Sequence, residues 1–175
     1  LSLTVSEGRQ MVAAARKHER IVQTGSQQRS DQRFRLACEL VRSGRIGKLQ
    51  NILVGIPGPN HPGEPVADSD PPAGLNYDLW LGPAPARPYN VKRVHYNFRF
   101  FWDYSGGQMT NFGAHHIDIA HWAMGLEHSG PVEISALADF PKRGLWDVHG
   151  SYHVKATYAN KVDVYISDRY PNGLR

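Results

Sequence analysis

Three histidines and an aspartate fall within His115-His116-Ile117-Asp118-Ile119-Ala120-His121, inside the segment GGQMTNFGAHHIDIAHW at residues 106–122. Such residues serve two chemistries. Histidine and aspartate hold divalent metals, and a neutral imidazole takes up protons near neutral pH. Spacing separates the two. At about 100° per helical residue, Asn111, His115, Asp118 and Trp122 share one face within roughly 60°. On the same wheel His116 points away and His121 lies about 100° off that face. A helical two-histidine metal site needs its histidines three or four residues apart, and none of these three is so spaced. His115 with Asp118 supplies two ligands, whereas zinc takes three or four. A distant His149 or His153 would have to complete the set, so no metal is assigned. Acid–base work at His115 needs only a neighbour that fixes its tautomer, and both Asn111 and Asp118 lie one turn away. The same pattern also suits a histidine satisfied at a helix–sheet boundary. His116 and His121 read as surface or supporting residues, and Ile117, Ile119 and Ala120 as packing.

Two further groups of residues carry chemical potential. TGSQQRSD follows a strand-like run and precedes a helix, the crevice in which α/β sheets bind ligands. Gln27, Gln28 and Arg29 are therefore candidates for touching a cofactor or substrate, against the plainer reading of a polar loop. The aromatics of YDLWLGP and HYNFRFFWDY gather around Arg99, as in carbohydrate pockets or in an ordinary core. No G-x-G-x-x-G turn occurs in the chain, so it carries no dinucleotide fingerprint of its own.

The elements that must position these residues follow from local pattern. Thr4-Val5-Ser6-Glu7 is a capping box, so a helix runs from there through EGRQMVAAARKHE. RIVQTGS reads as a short strand ending at Gly25. Ser30 is placed as the cap of a second helix, with Phe34, Cys38 and Val41 at helical spacing and Gly44 as its stop. KLQNILVGI reads as a strand, and residues 57–76 as a long loop rich in Pro and Gly. The histidine segment should be one helix ending at Gly125. PVEISALADF, GSYHVKATYA and KVDVYISDRY alternate at period two, with a turn at Ala159-Asn160. The expected class is α+β: the end of a Rossmann-type α/β unit over 1–29, then an α/β domain with a largely antiparallel open sheet over 30–175.

Composition narrows the function class. The 175 residues are 41% apolar and 21% charged, an ordinary globular balance. No apolar run approaches the roughly 20 residues of a membrane-spanning helix. The net charge of +4 comes from scattered Lys and Arg, which argues against a nucleic-acid footprint. The single cysteine, Cys38, excludes a disulfide within the chain. The chain opens at Leu1 on a helix start and ends just after a strand, as a piece cut from a longer protein would.

Taken in order, EGRQMVAAARKHERIVQTGSQQRSDQRFRLACELVRSGRIGKLQNI, YDLWLGPAPARPYN and NFRFFWDYSGGQMTNFGAHHIDIAHWAMG resemble the Gfo/Idh/MocA oxidoreductase family. The resemblance implies an NAD- or NADP-dependent dehydrogenase acting on a sugar, cyclitol or related polyol. It puts the glycine turn and the catalytic Lys of a Glu-Lys-Pro upstream of Leu1, so the main cofactor site would lie outside this chain and the chain alone would be inactive. The family's D-x-x-x-H falls on Asn111 and His115, with an amide where the family has a carboxylate. An amide can orient an imidazole but cannot balance its charge, which leaves Asp118 as a substitute partner. The family's cofactor contacts fall on Gln27, Phe98 and Arg99. The resemblance further implies a homo-oligomer built through the sheet, and a cytoplasmic protein before an exported one. Two other activities fit the same resemblance: an NAD-dependent glycosidase, and a non-catalytic piece that binds a sugar or a subunit.

Overall fold

The computed structural model describes residues 2–57 and 63–169. Part of the predicted 57–76 loop and the tail after Arg169 lie outside the described residues. The first helix, α1 (Val5–Lys17), starts where the sequence places it: the Thr4 hydroxyl accepts from the Glu7 amide, and the Glu7 carboxylate accepts from the Thr4 amide. Arg16 and Lys17 close it with the charge its C-terminal dipole favours. It buries no residue.

The strand predicted over RIVQTGS does not form. Residues 20–26 adopt neither helix nor strand, and Ile21 is 99% exposed. A strand needs a neighbour to complete its backbone ladder, and none lies beside this segment among the described residues. A 3-10 turn, Gln27–Ser30, follows. The cap of α2 (Gln32–Arg42) is Asp31 rather than Ser30, because the Asp31 carboxylate reaches the Arg33 amide at 2.8 Å while Ser30 is spent in the turn. The predicted stop holds, with Gly44 at φ +73°, a conformation that costs glycine little.

Four strands make one sheet in the order β1-β4-β3-β2. They are β1 (Asn51–Gly55), β2 (Glu133–Ala138), β3 (Tyr152–Thr157) and β4 (Asp163–Ser167). β1 runs parallel to β4, and the other two pairings are antiparallel. β3 and β4 are joined by a turn centred on Ala159-Asn160, closed by the Lys161 amide on the Tyr158 carbonyl at 2.8 Å. Register puts Val54, Ile166, Val154 and Ala136 in one row, and Leu53, Tyr165, Lys155 and Ser135 in the next. Because side chains alternate along a strand, the first row faces the helices and the second faces away.

The covering helix is α5 (Phe112–Met124), capped by Gly125 in the left-handed region. Its Ile117, Ala120 and Met124 pack on Val54, Val164 and Ile166. Full burial of a valine or isoleucine such as Val54, Val164 or Ile166 contributes about 1.5–3 kcal/mol. A Cβ on Gly113 would stand 3.2 Å from Ile56 Cδ1, so glycine there lets α5 close on the sheet. α2 packs along α5, with buried Cys38 donating its thiol hydrogen to the Ile119 carbonyl at 3.8 Å. Burial pushes the Cys38 thiol pKa up, as suits an unreactive core cysteine.

Candidate active site

The histidine segment is two helices, not one. α4 (Gly107–Thr110) ends at Asn111, whose φ −88° and ψ −86° break the helix before α5 begins. Asn111 therefore stands at the mouth of α5 rather than inside it. Its Nδ2 donates to Gln108 Oε1 at 3.1 Å, so the amide is turned back onto α4 and makes no contact of this kind with His115.

The helix's three histidines part company. His116 Nδ1 lies 2.8 Å from the Gly55 carbonyl, which takes its proton and ties α5 to β1. His121 Nε2 meets the Tyr158 hydroxyl. His115 is half-buried and its ring makes no hydrogen bond among the described residues. The tautomer-fixing contacts expected from Asn111 and Asp118 are absent. Both Asp118 oxygens are taken by Arg29, whose Nε donates to Oδ2 at 2.6 Å and whose Nη2 donates to Oδ1 at 2.8 Å. The hydrogen bond to Asp118 raises the Arg29 pKa against the opposing effect of burial. A substitute dyad of His115 with Asp118 is thus replaced by an Arg29–Asp118 pair. The signal in the sequence was an aspartate one turn from Trp122, since arginine favours a carboxylate beside an aromatic face.

The cofactor candidates take distinct positions. Gln27 is exposed on the 3-10 turn, and the adjacent Gln28 buries its Oε1 without a hydrogen-bond partner among the described residues. Phe98 and Arg99 lie on a 3-10 helix, His95–Phe100, that packs against α4. The Arg99 guanidinium sits 3.3 Å over the Tyr96 ring, and its Nε and Nη2 are buried with no acceptor among the described residues. Buried donors of this kind suit a ligand that brings an acceptor.

The turn into α4 is held from behind. His149 is buried, with Nε2 at 3.0 Å from the Gly106 carbonyl and Nδ1 at 3.2 Å from that of Gly150. Thr110 Oγ1 accepts from the Gly106 amide at 3.1 Å. Beyond it lies α3 (Tyr77–Leu81), where the rings of Tyr77 and Trp80 stack at 5.7 Å and Trp80 meets Tyr104 edge-on at 5.1 Å. Burial pushes the Tyr104 pKa up to about 12. The loop before α3 is pinned by fully buried Asn90, whose Nδ2 donates to the Val66 carbonyl and to Asp68. His153 lies beside Tyr165 on the far face of the sheet. Among the described residues no three His, Cys, Asp or Glu gather closely enough to hold a metal.

Residues 63–169 match the oxidoreductase family Gfo/Idh/MocA, C-terminal alpha/beta domain. The chain belongs to this family. No curated protein matches it. Among solved structures it is similar to GenD2 from gentamicin A biosynthesis, crystallised with NAD, at 19% identity and a TM-score of 0.62 over 99% of this chain. WlbA dehydrogenases from Chromobacterium violaceum and Bordetella pertussis, each solved with NADH and UDP-GlcNAcA, match at 16% and 15% identity and TM-scores of 0.62 and 0.63 over 97% and 99% of this chain. At such identities the likeness is one of fold. The chain spans only 40%, 41% and 44% of those three proteins. No helix among the described residues is long and apolar enough to cross a membrane.

Proposed function

We propose that this chain is the substrate-side part of an NAD- or NADP-dependent oxidoreductase acting on a hydroxyl or carbonyl of a sugar, cyclitol or related polyol, with His115 as the proton-transferring residue. One observation carries the assignment of His115: of the three histidines on α5, His116 and His121 spend a ring nitrogen on the fold, and His115 does not. An imidazole left without a hydrogen-bond partner among the described residues, on a fixed helix, is free to meet a substrate hydroxyl. On oxidation a ring nitrogen of His115 takes the hydroxyl proton as the carbonyl forms; on reduction it returns the proton. Asn111, neutral and turned to Gln108, offers no carboxylate to the charge of a protonated His115, and Asp118 one turn on is paired with Arg29.

Gln27, Phe98 and Arg99 would hold the nicotinamide side of the cofactor, and the buried unpaired donors of Arg99 suit a group rich in acceptors. When bound, the nicotinamide supplies or accepts the hydride. Its main binding site and the partner lysine would lie in residues preceding Leu1. We read residues 1–29 as the end of that nucleotide-binding domain. Support comes from Ile21 at 99% and Val22 at 63% exposure, apolar side chains left uncovered by the described residues. Residues 30–175 would form the substrate domain, associating with a second copy through the sheet.

The reading is tested with the full-length protein, NAD or NADP, and a panel of aldoses, cyclitols and UDP-sugars including UDP-GlcNAcA. Net reduced cofactor in step with sugar oxidation supports it. Release of an aglycone with no net reduced cofactor favours the glycosidase instead. Tight, stoichiometric NADH binding by residues 1–175 alone would contradict a main cofactor site outside this chain.

A further inference from the structure

We infer that Arg29 is a positioning residue, fixing the turn that carries Gln27 against the helix that carries His115. The inference rests on the roles proposed above for those two residues. Arg29 lies in the 3-10 turn Gln27–Ser30, and among the described residues its ion pairs and its aromatic contact fall on α5 or just after it. Its Nε and Nη2 meet the two oxygens of Asp118 at 2.6 and 2.8 Å. Its guanidinium carbon lies 5.3 Å from the Trp122 ring centroid, and its Nη1 lies 3.8 Å from Glu127 Oε1.

Geometry, more than energy, gives these contacts their effect. Two parallel hydrogen bonds fix direction as well as distance, which a single contact does not. Asp118 and Trp122 are four residues apart, on the α5 face that also presents His115. The clamp therefore sets the turn relative to the face on which the reacting group stands. The turn runs into α2, which packs along α5, but the turn itself buries no whole residue and Ser26 makes no side-chain cap at its start, so the clamp is the side-chain contact that sets its direction. The paired side chains are 33% and 28% exposed, and pairs that open to water add little to stability. Catalysis, by contrast, is steep in position, since a misplacement of about 1 Å can cost about 100-fold.

The first arm of the test uses the full-length protein with NAD and UDP-GlcNAcA. Arg29→Met is expected to lower kcat about 10-fold or more, with KM for both ligands within about threefold and the melting temperature within a few degrees. The charge-swapped Arg29→Asp/Asp118→Arg pair is expected to recover part of the loss. Full kcat in Arg29→Met, or a loss matched by collapse of the fold, overturns the inference. The His115 reading fails separately if His115→Ala keeps its turnover. The second arm reads position without turnover, in residues 1–175 carrying Cys38→Ser. Spin labels go on two exposed sites, Gln27→Cys and Ala114→Cys. One narrow distance is expected with Arg29, a broad one with Arg29→Met, and a narrow one again in the swapped pair. An unchanged width in Arg29→Met overturns the inference even if UDP-GlcNAcA is not turned over.

Discussion

The first 26 residues and the domain that follows are held by different forces. α1 has a complete capping box and a basic last turn, yet buries nothing, and Met11 and Val12 stand 44% and 37% exposed. From α2 onward buried side chains appear: Cys38 of α2 is 1% exposed, and Val164 of β4, also 1% exposed, lies in the core that α5 shares with β1, β3 and β4. A helix satisfies most of its hydrogen bonds within itself, so local signals can mark α1 without a strand-like neighbour. A strand cannot do so, and RIVQTGS, which has strand composition but no neighbour, stays irregular.

The sharpest way to break this contrast is to put a charge in each region. Val164→Asp buries a carboxylate among apolar side chains and should cost about 4 kcal/mol or more, enough to unfold a marginal domain. Ile21→Asp should change stability by less than about 0.5 kcal/mol. Urea unfolding of both variants checks the pair; a large loss from Ile21→Asp would mean the N-terminal segment is packed after all. A smaller effect comes next. Thr4→Ala removes the cap of α1 and should weaken that helix by about 1 kcal/mol. Hydrogen exchange should quicken over residues 5–17 while the amides of β3 and β4 keep their protection. Faster exchange in the sheet as well would tie α1 to the core.

The smallest effect is a pH dependence at the start of α2. Hydrogen bonds from the Arg33 side chain and backbone hold Asp31 at about 2, below its ordinary 3.8. Its folded value is depressed, so its contribution is complete above the ordinary value and is lost as pH falls toward about 2. Asp31→Asn should flatten that part of the acid titration of helix content. An identical acid limb in the variant would remove Asp31 from the cap.

Legibility followed the same division. The α1 cap, the Gly44 and Gly125 stops, the three alternating strands and the Ala159-Asn160 turn were all readable, because each is encoded within a few residues. The order β1-β4-β3-β2 and the parallel β1–β4 pairing were not, since no local pattern says which strands meet. Helical spacing put His115, Asp118 and Trp122 on one face of a helix, and α5 carries all three. It missed the break at Asn111, a backbone event that the helix-forming pattern on both sides conceals. It also missed that Asp118 is claimed by Arg29 from 89 residues away.

The central claim is that His115 carries the proton. It is tested most directly by His115→Ala in the full-length protein, assayed with whichever sugar yields reduced cofactor. Turnover should fall about 100- to 10,000-fold while NADH binding is kept. Turnover equal to that of the parent protein would contradict the account.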